Sequence, residues 1–270
     1  MHRYHLYAVI LMLLAQCSWA SDFDHRAWDK LLRQHVVATD NDAVTTFDYA
    51  GLLDQQVELD LYLEQLAAVN LAEFERWPHT AQLAFLINAY NASTVKLVLS
   101  GYPGIDSIKD LGSWLNTPWE KQFIPLLGSS RSLDDIEHGL IRDSGRYREP
   151  RIHFAVNCAS IGCPSLRAEA YTAERLDAQL EDQTRLFLSD RTRNRLQGSI
   201  LSVSPLFKWY RKDFEKGRSE FDSLDSFFSA YAPALALQDN DIKNLQAGKI
   251  RIEYLNYDWR LNDAGLAVTE

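Results

Sequence analysis

The chain has 270 residues, 46% of them hydrophobic and 24% charged, with only 12 Gly and 8 Pro. That mixture excludes a disordered, collagenous or linker-rich protein, and the length allows one large core or two small ones. A net charge of −9 argues against a nucleic-acid partner, and the three cysteines, Cys17, Cys158 and Cys163, form an odd count that needs explaining.

Met1 to Ala20 opens with His2, Arg3 and His5, runs through the apolar stretch Leu6–Ala15 and closes on Ser18-Trp19-Ala20, with small residues at −3 and −1 relative to Ser21. This is the pattern of a cleaved secretory signal, which predicts a periplasmic or secreted product of residues 21–270 and discards Cys17. The apolar run is too short for a membrane span, and no later segment is long enough either. Lipidation at Cys17 stays open as an alternative, although Gln16 stands where such signals carry Gly or Ala.

In the mature chain, Trp28, Leu31, Leu32, His35 and Val36 predict an amphipathic helix over 23–38. Val44–Tyr49 alternates and reads as a short strand, and Leu52 to Ala67 as a helix over 51–68. The most apolar stretch, Thr80–Leu99, predicts a helix buried on most sides, stopped by Gly101-Tyr102-Pro103-Gly104. A hairpin is expected around Gly128-Ser129-Ser130. Ser132 and Asp135 have capping-box spacing, opening a helix through Arg142. Arg151–Val156 alternates, with Ile152, Phe154 and Val156 on one face, and predicts a strand. Helices over 173–189, from Ser204-Pro205 to Phe214, over 222–231 and over 239–246, two short strands about Gly198, and a strand at 249–254 complete the reading. The fold class is α+β, a mainly helical single domain with a small, mostly antiparallel sheet.

Chemistry concentrates in Arg151–Leu166, which carries His153, Asn157, Cys158 and Cys163. A nucleophilic thiol needs a partner for its proton and a setting that favours thiolate. Cys158 is the candidate nucleophile, His138 or His153 the candidate base, and Asn157 a candidate oxyanion donor. Asp134 and Arg142, one helical turn either side of His138, are placed to orient its ring. The competing reading is a Cys158–Cys163 disulfide closing a small loop in an oxidising compartment. A metal site built from His138, His153, Cys158 and Cys163 has suitable ligand types without a recognised spacing. Asn88 and Asn91, three apart on the apolar helix, either tie down a neighbouring backbone or line a pocket. Lys208–Lys212 reads as an amphipathic packing face, and Tyr257–Asn262 as a C-terminal tie.

Ala84–Ala92, Ser132–Arg142 and His153–Ser160 resemble the family catalogued as domain of unknown function 547, and Lys208–Phe214 and Tyr257–Trp259 resemble its later segments. The likeness covers residues 44–262 and implies no particular reaction. The family pattern accepts Ser at the position of Cys163 but expects Cys at Cys158 and His at His138, which implies a role for Cys158 apart from a bridge. It also makes Asn88, Asn91, Glu137, His138 and His153 candidates for one pocket. Two functions are therefore expected: a cysteine-dependent hydrolase or acyl-transferase acting on amide or ester bonds of envelope peptides or proteins, or a non-catalytic binding module with a structural disulfide. Neither reading calls for a cofactor.

Overall fold

The computed structural model describes residues 22–39, 43–215 and 221–265; the predicted signal segment, with Cys17, lies outside them. The first helix, α1 (Arg26–His35), turns Trp28, Leu31, Leu32 and His35 inward, as their spacing predicts. Its expected last turn instead leaves as a strand, β1 (Val36–Ala38), because the β-branched Val36 and Val37 pair antiparallel with β2 (Thr45–Phe47). The helix expected over 51–68 is two, α2 (Tyr49–Leu53) and α3 (Gln56–Ala68), and Asp48 caps the first by accepting from Gly51 N at 2.8 Å. A further short helix, α4 (Leu71–Phe74), starts at the cap Asn70 and is too brief to declare itself by periodicity.

The central element is α5 (His79–Leu99), in which only His79, Thr80 and Lys96 of 21 residues escape burial. Such a helix must give its buried polar side chains partners outside itself. Gln82 Nε2 donates to the Phe74 and Trp77 carbonyls at 3.1 and 3.0 Å. Asn88 and Asn91 do the equivalent for two segments that approach from the other side, as described below.

Two 3₁₀ turns, Ile108–Leu111 and Pro118–Glu120, lead into the hairpin β3 (Ile124–Leu126) and β4 (Ser129–Arg131). Its turn residues Leu127 and Gly128 both have positive φ, 52° and 78°, the backbone of a tight hairpin that matches strand twist. The capping box then forms: Asp135 N donates to Ser132 Oγ at 3.0 Å and Ser132 N to Asp135 Oδ2 at 2.8 Å. What it opens is a π-helix, Asp135–Arg142, closed by Asp143 N donating five residues back to His138 O at 2.8 Å.

Residues 151–156 are not the expected strand. Pro150–Phe154 winds as a 3₁₀ helix, started by Pro150 at its first position and by Arg151 N donating to Glu149 Oε1 at 3.1 Å. His153 and Ala155 are as buried as Ile152, Phe154 and Val156. The alternation therefore marks no polar face, and the period-two pattern misleads.

Beyond it come α6 (Leu176–Ser189), the antiparallel pair β5 (Arg195–Gln197) and β6 (Ile200–Val203), α7 (Leu206–Trp209), a 3₁₀ turn Arg211–Phe214, α8 (Leu224–Ala230), α9 (Asp239–Gln246) and β7 (Arg251–Tyr254). β7 runs parallel to β6, whereas the other described strand pairs are antiparallel. The helix expected from Ser204 to Phe214 thus breaks in two at Tyr210. The chain is α+β and mainly helical.

Two hydrophobic clusters fill it. One surrounds α5; the other is built on Phe154, Phe187, Phe207, Phe214 and Phe227. The 3₁₀ helix at 150–154 joins them, since Ile152 belongs to the first and Phe154 to the second. His153, between these two, sits on the seam.

Candidate active site

A cavity of about 420 Å³ opens on that seam, and Cys158, Cys163, Glu137, His138 and His153 all line it. The thiol reaches it through a loop that α5 holds in place. Asn91 Nδ2 donates to Ala155 O at 3.0 Å, and Asn91 Oδ1 accepts from Asn157 N at 2.8 Å. Asn157 then closes the loop from within, its Oδ1 accepting from Ala159 N at 2.9 Å and its Nδ2 donating to Pro164 O at 2.7 Å. Ala159, buried and at φ 60°, is forced into the left-handed region that a Cβ disfavours. Such strain persists where surrounding contacts over-determine it.

The C-terminal segment supplies those contacts. Asn262 N donates to Ala159 O at 3.2 Å, Ile161 N to Arg260 O at 2.9 Å and Gly162 N to Asp258 O at 2.8 Å. A Cβ on Gly162 would lie 3.0 Å from Asp258 N, Asp258 O and Tyr257 Cδ1. Gly162→Ala should therefore lower stability by about 1–3 kcal/mol, read as an earlier urea midpoint with unchanged slope.

Within the loop Cys158 Sγ lies 2.7 Å from Cys163 Sγ, 3.1 Å from Tyr257 Oη and 3.3 Å from Ser160 Oγ, while Cys158 N donates to Cys163 Sγ at 2.8 Å. Both cysteines are free thiols in this structure. The hydrogen bond from Cys163 leads in pulling the Cys158 thiol below its usual range, with Ser160 and Tyr257 helping, against the opposing effects of burial and the Glu137 charge. Burial pushes Cys163 well up, and its bond to Cys158 adds to the effect. Burial likewise raises Tyr257, followed by the charge on Cys158. Within the pair the proton is therefore held more readily at Cys163 than at Cys158.

Neither histidine hydrogen-bonds the thiol among the described residues. Arg142 Nη1 donates to His138 Nδ1 at 2.5 Å, leaving its Nε2 proton to face Asp134 Oδ1 at 3.6 Å. Of the two neighbours expected to orient this ring, Arg142 hydrogen-bonds it and Asp134 stands beyond hydrogen-bond distance. His153 is anchored elsewhere: its Nε2 lies 2.8 Å from Asp213 Oδ2, and Tyr210 stacks over it at 3.9 Å. Arg142 Nε also donates to Asp213 Oδ2, at 2.6 Å, and its guanidinium lies over the Tyr210 ring, 4.8 Å from the ring centre. Burial favours a neutral His153 and dominates over the carboxylates nearby.

The expected site residues therefore separate. Cys158, His138, His153 and Glu137 share the cavity. Asn91 and Asn157 brace the loop backbone, and Asn88 grips Tyr171, donating to its O at 2.8 Å and accepting from its N at 3.0 Å. The asparagines are occupied with backbone: of the two roles expected of Asn88 and Asn91 they take the tying of a neighbouring backbone, and the Asn157 amide expected to hold an oxyanion is instead spent on Pro164 O and Ala159 N. Among the described residues no group of three or more His, Cys, Asp or Glu is arranged to hold a metal ion; the rings of His138 and His153 are turned to Arg142 and Asp213.

Sequence reasoning missed Asp213 and the part Tyr257 plays at the thiol. It also missed the aromatic wall, where Trp209, Tyr257 and Trp259 lie 4.4 to 6.0 Å apart between ring centres. The basic and aromatic run at 208–212 was the available signal, since Trp209 and Tyr210 line the cavity.

Residues 74–188 match the model of the family described as "Protein of unknown function, DUF547". This stretch holds α5, the π-helix and the cysteine loop. No curated protein and no solved structure matches the chain.

Proposed function

We propose that this chain, which belongs to the DUF547 family through residues 74–188, is a cysteine-dependent acyl-transfer enzyme cleaving or exchanging amide or ester bonds. The observation that carries the reading is the asymmetric thiol pair: Cys158, reachable from the cavity, is favoured as thiolate, while Cys163, buried beside it, keeps its proton. A thiolate already stabilised by three donors attacks without a base in hydrogen-bond contact.

In this reading Cys158 Sγ adds to the acyl carbonyl and charge moves from sulfur to oxygen. Tyr257 Oη, 3.1 Å from the sulfur, donates to the new oxyanion. The carbon–nitrogen or carbon–oxygen bond then breaks, a thioester remains, and the leaving group takes its proton from a cavity water held by the His138 Nε2–H, which leaves hydroxide. That hydroxide attacks the thioester, or takes the proton of a second acceptor that does so, and the acyl group is released as the thiolate is restored. An exported location and envelope peptides or proteins as substrates are part of the same proposal and rest on the pattern of residues 1–20.

p-Nitrophenyl acetate tests it. A burst of nitrophenolate, with one acetyl group located on Cys158 by peptide mass, is the expected result, and Cys158→Ala should abolish both. A protein that releases no burst and carries no acetyl group under reducing conditions would falsify the reading. The 2.7 Å separation of the sulfurs also favours a second reading, a binding module whose cysteines are bridged in an oxidising compartment. It predicts alkylation of Cys158 only after reductant is added.

A further inference from the structure

The wall of the cavity contains two buried acceptors that face each other with no donor between them. Glu137 Oε1 and His153 Nδ1 are 3.9 Å apart, and neither has a hydrogen-bond partner among the described residues. Glu137 is 5% exposed and His153 2%, so each atom bears a desolvation penalty of about 1–3 kcal/mol while unpaired.

The polarity of the pair follows from the groups behind it. Asp213, held ionised by His153 and Arg142, can only accept, so the proton of the neutral imidazole sits on His153 Nε2. Nδ1 therefore presents a lone pair to the Glu137 carboxylate. Two acceptors so placed exclude an anion or a carbonyl oxygen and call for a ligand atom with at least two hydrogens. One nitrogen about 2.8 Å from each satisfies both.

The remaining lining selects charge. Asp134 and Glu137 are its acidic side chains, and no Lys or Arg lines the cavity among the described residues. The guanidinium of Arg142 is occupied behind it by Asp213 and His138. Tyr90, Tyr210 and Tyr257 present aromatic surface to the same space, which favours a cation over a neutral hydroxyl.

We propose that the gap between Glu137 and His153 binds a primary ammonium group, the amine side of the bond on which Cys158 acts. The binding stands on the geometry alone; its place in the reaction rests on the acyl-transfer reading. In that role the group is a lysine-type side chain or chain amino terminus. On cleavage the carbon–nitrogen bond breaks as the nitrogen takes one proton from water, the carboxylic acid formed when hydroxide opens the thioester gives up a second, and the product ammonium settles between the two acceptors. In transfer to an acceptor amine the order reverses: Glu137 takes the ammonium proton, the free amine attacks the thioester, a carbon–nitrogen bond forms, the nitrogen gives its surplus proton to water, and the thiolate leaves.

Pentylamine and 1-pentanol have the same chain and differ in charge and donor number. Each is titrated against the full chain and followed by tryptophan fluorescence, since Trp119, Trp209 and Trp259 line the cavity. Saturable binding of pentylamine, at least about tenfold tighter than 1-pentanol as expected for a charge-assisted hydrogen bond, is the predicted result. Cys158→Ala should retain this preference and Glu137→Gln should lose it. Equal binding of amine and alcohol, or an undiminished preference in Glu137→Gln, overturns the proposal; the amine–alcohol comparison on unaltered protein does not depend on how that variant folds. Amine preference without acetylation of Cys158 upholds the ammonium site and removes the acyl-transfer reading. Acetylation without amine preference overturns the site and leaves acyl transfer standing.

Discussion

Replacing Asp213 by alanine should destabilise the protein by about 3–5 kcal/mol, the range for removing one partner of a buried charge pair, measured by urea unfolding at neutral pH. The carboxylate is 8% exposed and serves two donors, Arg142 Nε at 2.6 Å and His153 Nε2 at 2.8 Å. Without it a half-buried guanidinium and a fully buried imidazole N–H lose their shared acceptor. Asp213→Asn keeps the shape and one acceptor oxygen and should cost less, but it changes the response to acid. Burial works to raise the Asp213 carboxyl, yet the hydrogen bonds from His153 and Arg142 outweigh it and hold it well below the usual carboxylate range. A depressed carboxyl contributes fully above its unfolded value near about 4 and loses that contribution as pH falls through its folded value. The histidines act in a different window. Burial pushes His25 down to about 4 and lowers His153 as well. The unfolded chain therefore binds protons first, and stability declines from about pH 6.5 downward. Asp213→Asn should leave the decline between about pH 6.5 and 4 in place and reduce the further loss below about 4. An unchanged acid limb in that variant would show that Asp213 is not the group responsible.

Asn91→Ala should cost about 2–6 kcal/mol, because two buried backbone groups lose their partners at about 1–3 kcal/mol each. The groups are Ala155 O and Asn157 N, at 3.0 and 2.8 Å from the side chain. Asn88→Ala removes the same chemistry one helical turn earlier, at Tyr171, and should cost a similar amount. The two variants should part company at the thiol. Asn91 holds the residues immediately before Cys158, so its loss should move the pH profile of iodoacetamide alkylation toward that of an ordinary thiol. Asn88→Ala should leave that profile where it is in the unaltered protein. Identical profiles for both variants would mean that the clamp at Asn91 supports the fold without tuning the sulfur.

These clamps also mark how far the sequence could be read. The apolar run of α5 and the two amides three apart on it were visible, because burial of a polar side chain in such a run demands partners. Which backbone they grip depends on residues 64 to 83 positions away, and no local pattern encodes that. The capping box at Ser132 was legible as a start signal, whereas the π winding after it was not, since five-residue hydrogen bonds leave no sequence period. Alternation at 151–156 failed because all faces of the segment are enclosed. Tyr257 was read as part of a packing tie, and it is one; its hydroxyl touches the thiol only because the C-terminal segment folds back over the cysteine loop.

That fold-back ties chemical competence to the order in which the chain is made. The nearest hydroxyl partner of Cys158 lies 99 residues downstream, and the segment that supports Ala159 is anchored on Tyr49, whose hydroxyl donates to Asn262 across 213 positions. During synthesis the sulfur emerges together with Ser160 and Cys163 but long before Tyr257, and loop closures of this length come late in folding. A nascent or incompletely folded molecule therefore lacks the Tyr257 hydroxyl and the C-terminal support that shapes the cysteine loop. Docking of the C-terminal segment should add the last hydroxyl donor to the sulfur, so the alkylation rate should rise as the native state is completed.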